Sequence, residues 1–114
     1  MSDLLIETID QVTVVYLSGY LNALIVRQIE PQISELNQSG NKIILHLGAV
    51  EFMSSLGLWM LFSLQRQMKD RKGKLVVVAV PEVVKEILTL VGFSSVIQTF
   101  TTLEEGLVFL IGNR

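Results

Sequence analysis

The amino-acid sequence predicts an α/β fold: a mixed, mostly parallel five-stranded sheet carrying about four helices. Three observations lead there. Short apolar runs of strand character alternate with longer segments whose apolar residues recur every three or four positions. Only the first two runs follow one another directly, as a hairpin would. Residues 75–80 form a continuous apolar run rich in β-branched side chains, the pattern of a strand buried on both faces.

Taken in order, residues 4–9 and 12–17 are apolar-rich runs separated by Asp10-Gln11, a tight-turn pair. Ser18-Gly19-Tyr20-Leu21-Asn22 has loop composition. Leu24, Ile25, Ile29, Ile33 and Leu36 then mark one apolar helix face. Pro31 inside it is expected to kink the helix or to start its main part, and Ser39-Gly40-Asn41 to end it. Residues 42–47 read as the third strand and residues 48–52 as its exit. From Leu58 to about Lys72 the spacing is helical, with Leu58, Leu61, Phe62, Gln65 and Met68 on one side and Gly73 as the stop. After the run at 75–80, Pro81 opens a short helix that Gly92 closes. Residues 95–100 make a fifth strand. The last helix covers 102–111, with Thr101 or Thr102 as cap and Glu104 and Glu105 in its first turn. The order is β-β-α-β-α-β-α-β-α, so right-handed crossovers build the parallel part and the hairpin adds an antiparallel edge. Residues 1–114 are read as a single domain, without linker or repeat.

Composition narrows the function. Half of the residues are hydrophobic and the net charge is −2, which gives no electrostatic case for nucleic acid or an anionic membrane. Without cysteine there is no disulfide, thiolate metal site or thiol nucleophile, in keeping with a cytoplasmic location. The start, Met1-Ser2-Asp3-Leu4, lacks signal-peptide character. No apolar run approaches the roughly 20 residues needed to span a bilayer, so membrane insertion is not expected.

Catalytic patterns are also missing. His46 is the single histidine and sits in a strand. Ser55 has Gly57 two residues later, but Met53 stands where a nucleophile elbow needs its first glycine. No Gly-rich phosphate loop occurs, and the carboxylates are too scattered to join His46 in a metal site. No cofactor, metal or catalytic residue is expected, and the protein reads as a binder rather than an enzyme. The sharpest feature is Ser54-Ser55-Leu56-Gly57 between a strand and a helix. One of these serines caps the helix. The same place also suits a phosphate, at the positive end of the helix dipole. Trp59 is offset from the Leu58, Leu61, Phe62 stripe and reads either as an interface anchor or as packing on residues 19–22. Arg66, Lys69, Arg71 and Lys72 read as a solvated helix end.

At these residues the chain resembles the STAS domain family, its free-standing bacterial anti-sigma factor antagonists in particular. The resemblance is carried by Phe52-Met53-Ser54-Ser55-Leu56-Gly57-Leu58-Trp59, by Gly19-Tyr20-Leu21-Asn22, by the strand at 74–80 with the helix from Pro81, and by Leu90-Val91-Gly92-Phe93. It implies a STAS-like fold over essentially the whole chain and a role in transcription regulation. The implied partner is an anti-sigma factor with serine kinase activity, which the antagonist occupies until a serine at the helix start is phosphorylated; a phosphatase reverses the step. That serine falls on Ser55, with Ser54 as its neighbour. The implied partner surface comprises Gly19, Tyr20, Asn22, Ser54, Ser55, Leu56 and Trp59. The chain departs from the family pattern where Ser54, Asn22 and His46 replace acidic residues, Leu56 replaces a serine and Trp59 replaces a small residue. The resemblance equally admits a STAS-like accessory subunit of a transporter ATPase, or of another regulatory complex without a phosphorylation switch.

Overall fold

The structure, a computed structural model, describes residues 4–39 and 41–112. Its elements are β1 (Leu4–Ile9), β2 (Val12–Leu21), α1 (Ala23–Ser39), β3 (Lys42–Met53), α2 (Ser55–Asp70), β4 (Lys74–Val78), α3 (Glu82–Leu90), a 3-10 turn (Phe93–Ser95), β5 (Gln98–Phe100) and α4 (Leu103–Ile111). The five strands form one sheet in the order β1-β2-β3-β4-β5. Only β1–β2 is antiparallel, so the expected mixed, mostly parallel architecture stands. Asp10 and Gln11 both take positive φ, 49° and 70°. That is the left-handed geometry of the hairpin turns whose twist matches the strands they join.

Alternation along the strands sorts two cores. Val15, Leu17, Ile43, Leu45 and Val77 face one side, covered by α1, α2 and α3. Val12, Val14, Ile44, Val76 and Val78 face the other, where α4 lies with Leu110 against them. α4 comes down close because Gly106 has no side chain: a Cβ there would stand 2.8 Å from Val78 Cγ1.

Several expectations change. Residues 18–21 belong to β2, not to a loop, and β3 runs on to Met53. The two strands stay paired through irregularities at Tyr16/Ser18 and Gly19/Tyr20. At the first, Tyr16 pairs with His46 but Ser18 with Ala49, so β3 carries an extra residue. The Gly48 N–H there donates to His46 Nδ1 at 3.1 Å. His46 thus satisfies the amide beside that irregularity. α2 begins at Ser55 and buries Gly57, Met60, Leu61, Leu64 and Met68, a stripe rotated from the expected one; Leu58 and Phe62 lie at its half-buried margins. α1 continues through Pro31, which sits on its exposed side, and buries Val26, Ile29 and Ile33 while leaving Leu24 exposed. β4 stops at Val78 because Ala79 turns to φ 59°. β5 has three residues, since Phe93–Ser95 forms a 3-10 turn. Gly40, one of the residues expected to end α1, lies outside the described residues.

Candidate functional site

β2 and β3 end side by side, with Leu21 opposite Met53, and the helices that follow them start from capped residues. Asn22 Oδ1 accepts the Ile25 N–H at 3.0 Å, and the Asn22 carbonyl accepts from Val26 at 2.9 Å. Asn22 therefore caps α1. Ser54 caps α2, its Oγ accepting the Gly57 N–H at 3.2 Å. The same hydroxyl donates to the Leu21 carbonyl at 2.8 Å, and the Ser54 N–H donates to that carbonyl at 3.1 Å. Two bonds to one acceptor pin the start of α2 to the end of β2. Gly57 is buried beneath this junction, where a Cβ would stand 2.8 Å from Met53 Cγ and 3.4 Å from the Leu21 carbonyl. A larger residue would push the helix start outward.

Ser55 is the first residue of α2, and it is exposed. Its hydroxyl makes no hydrogen bond among the described residues, and the first turn of α2 holds no acidic residue. The same end of the sheet carries exposed aromatics. Tyr20 and Phe52, paired across β2 and β3, stack with centroids 6.0 Å apart. They are 59% and 44% exposed, and Trp59 is 54% exposed. Trp59 lies one helical turn beyond Ser55, so both share a helix face. Leu24, in the first turn of α1, is also open.

The fold thus brings Gly19, Tyr20, Asn22, Ser54, Ser55 and Trp59 to one end of the sheet. Leu56 is half-buried against the core and offers less surface. Leu24 and Phe52 were not anticipated. Leu24 was assigned to the core stripe, and Phe52 to the exit of a shorter strand. The pairing of two aromatics, Tyr20 and Phe52, was the available signal, but reading it required the register. His46 does not join this group: it pairs with Tyr16, ring centroids 5.0 Å apart, lower in the sheet. Among the described residues no group of His, Cys, Asp and Glu could hold a metal ion, and no helix is long and apolar enough to cross a membrane.

Comparison with known proteins identifies the family and fold. The STAS domain family model matches residues 3–106. The chain is 26% identical over 94 residues to a Bordetella bronchiseptica protein named "Putative anti-sigma factor antagonist BtrV", covering 82% of this chain and 81% of that one. An anti-sigma factor antagonist from Mycobacterium paratuberculosis has a solved structure with TM-score 0.86 and 27% identity, covering 94% of this chain and 92% of that one. SpoIIAA in its phosphorylated form, from Bacillus, superimposes with TM-score 0.73 at 20% identity, covering 91% of this chain and 96% of that one; at that identity it attests the fold.

Proposed function

The chain belongs to the STAS domain family as an anti-sigma factor antagonist-like member, and we propose that it works by occupying a kinase-like anti-sigma factor, with Ser55 as the switch. One observation carries the reading. Of two adjacent serines, Ser54 has its hydroxyl committed to cap and strand, while Ser55 stands exposed one helical turn from the exposed Trp59, at the sheet end that also carries Tyr20 and Phe52. Exposed aromatics of this kind anchor protein interfaces. A phosphate on Ser55 would sit at the positive end of the α2 dipole, where the domain itself tolerates it. The same phosphate would bring close to two negative charges into an apolar contact, which a partner must desolvate. Modification would then release the partner without unfolding the antagonist, and a phosphatase would restore binding. No catalytic step is assigned to this chain.

With Ser54 and Asn22 at positions where the family carries acids, the contact rests on apolar area rather than ion pairs. Its affinity should therefore vary little with salt. The test starts from the tagged protein isolated from its native host, with mass spectrometry identifying the partner and the state of the Ser54–Ser55 peptide. The purified anti-sigma factor is then titrated with the parent, Ser55→Ala and Ser55→Asp. Parent-like binding by Ser55→Ala and at least about tenfold weaker binding by Ser55→Asp are expected. Equal binding by parent and Ser55→Asp would remove Ser55 from the interface. Recovery of a transporter ATPase instead would assign the domain to the other system.

A further inference from the structure

Positive charge gathers where β3 and β4 begin. The segment Lys69-Asp70-Arg71-Lys72-Gly73-Lys74 runs from the last turn of α2 into β4. Lys42, the first residue of β3, pairs in register with Lys74. This end of the molecule thus holds five of the nine Lys and Arg residues. Three of the eleven acids share it: Asp70, Asp10 in the hairpin turn before β2, and Glu35 near the end of α1. The end is therefore net +2, while the rest of the sequence, with four cations and eight acids, is −4. None of the five cations forms an ion pair among the described residues. Ser55 lies at the opposite end, beyond the close of β3.

Part of this charge serves the fold. Lys69 in the last turn of α2 and Arg71 at its C-cap complement the negative end of the helix dipole. The other three lysines work against the fold. Lys72 occupies the left-handed region, φ 62°, where any side chain crowds its own backbone and glycine does not. Lys42 and Lys74 are lateral neighbours in a parallel pair, on strands about 4.8 Å apart. Alternation places both on the α4 side, because Ile43 and Leu75 join the core under α1 and α2 while Ile44 and Val76 join the other. Like charges so placed repel, and Lys42 is half-buried without an acid to offset it. Local rules are broken in this way where binding needs the offending residue.

We propose that this rim docks an acidic segment of a protein partner, whose carboxylates meet Lys42, Lys72 and Lys74. A short segment fits better than a nucleic acid, since a long polyanion would run past the rim onto surface of its own sign. The site is separate from Ser55 and stands whether or not the antagonist reading holds. A fluorescein-labelled decaglutamate peptide, titrated into the whole chain at an ionic strength of about 0.15 M, tests it by anisotropy and amide NMR. Saturable binding is expected, with shifts centred on Lys42 and residues 69–74. Lys72→Gly and the double variant Lys42→Gln/Lys74→Gln should each weaken it by about tenfold. Both should melt at or above the parent temperature, because each relieves a cost to the fold. A lower melting temperature in the double variant would mean that the lysines serve stability, and would overturn the proposal. So would absent or unsaturable binding, shifts centred on Trp59, parent-like affinity in both variants, or a thymidine decanucleotide binding as tightly as the peptide.

Discussion

Ser54 and Ser55 are chemically identical neighbours with opposite surroundings. The Ser54 hydroxyl accepts from Gly57 and donates to Leu21, so Ser54→Ala loses a cap and a half-buried bond together. A cost of about 1–2 kcal/mol is expected in urea denaturation. Ser55→Ala should stay within about 0.5 kcal/mol of the parent, as surface substitutions do; the reverse order would exchange the roles of the two serines. Ser55→Asp separates stability from binding. Its carboxylate at the first helical position should leave the isolated domain as stable as the parent or up to about 1 kcal/mol more so. The same substitution should weaken partner binding by at least about tenfold, and a fall in both would mean the variant simply unfolds. The motif Ser54-Ser55-Leu56-Gly57 announced a helix start, but not which serine caps it. That choice is made by the Leu21 carbonyl, 33 positions earlier in the chain, a contact no local pattern displays. Exposure at Trp59 was legible because it depends only on helical offset; exposure at Leu24 was not, because a first-turn residue can satisfy the spacing yet overhang the end of the sheet.

Among the elements, α2 ends in an unusual way. The Gly73 N–H donates to the Met68 carbonyl at 2.8 Å and the Lys72 N–H to the Lys69 carbonyl at 3.0 Å, the bond pair of a Schellman motif. The residue in the left-handed region is Lys72, φ 62°, where glycine is the usual occupant. Lys72→Gly should stabilise the domain by a few tenths to about 1 kcal/mol, read as a higher denaturation midpoint at unchanged slope. Gly73 is the stop its composition predicts, although it acts by space: a Cβ would stand 2.6 Å from Met68 Cε. The hairpin offers a pH test. Tyr16 donates its hydroxyl to Glu7. That bond first, then burial, then the charges of Glu7 and Glu104, hold the phenol above its ordinary 10.0. Folding thus favours the protonated phenol, so its contribution is complete below about pH 10 and is lost as pH rises through the folded value. Melting curves of parent and Tyr16→Phe should differ most at neutral pH and converge in strong alkali; a gap that persists there would count against the bond. The hairpin turn and α4 were readable; of the two cap candidates, Thr101 and Thr102, the structure takes Thr102, in a full capping box with Glu105. β2 and β3 were read too short, because Gly19 and Gly48 have loop composition while the strands absorb them at irregular pairings.

For the whole molecule, the unequal cover of the sheet links fold to function. α1, α2 and α3 share one face while α4 packs on the other. Ser55 and Trp59 belong to α2 and so depend on the first layer, while Tyr20 and Phe52 alternate to the other side of the sheet from Leu21 and Met53. The β-β-α-β-α-β-α-β-α order was enough to foresee the sheet, because alternating elements leave few untangled topologies. It did not show which face each helix takes. Hence the surface at the ends of β2 and β3 could be placed only through the family resemblance, and Leu24 and Phe52 at its margin were missed: its extent arises from where connections cross, not from residue spacing. The division of labour can be tested at Gly106, which meets Val78, Ile44 and Val76 across the α4 face. Gly106→Val would force branched methyls into contacts already too close for a single Cβ, and overpacking of this kind costs about 1–3 kcal/mol. Helix propensity pulls the other way by less than about 1 kcal/mol, so net destabilisation is expected in thermal melting. Below the melting transition, the variant should bind the anti-sigma factor with parent affinity, because α1, α2 and the paired ends of β2 and β3 are untouched. Partner binding lost in step with a displaced α4 would instead mean that the two layers act as one unit, and that the face opposite Ser55's helix contributes to recognition.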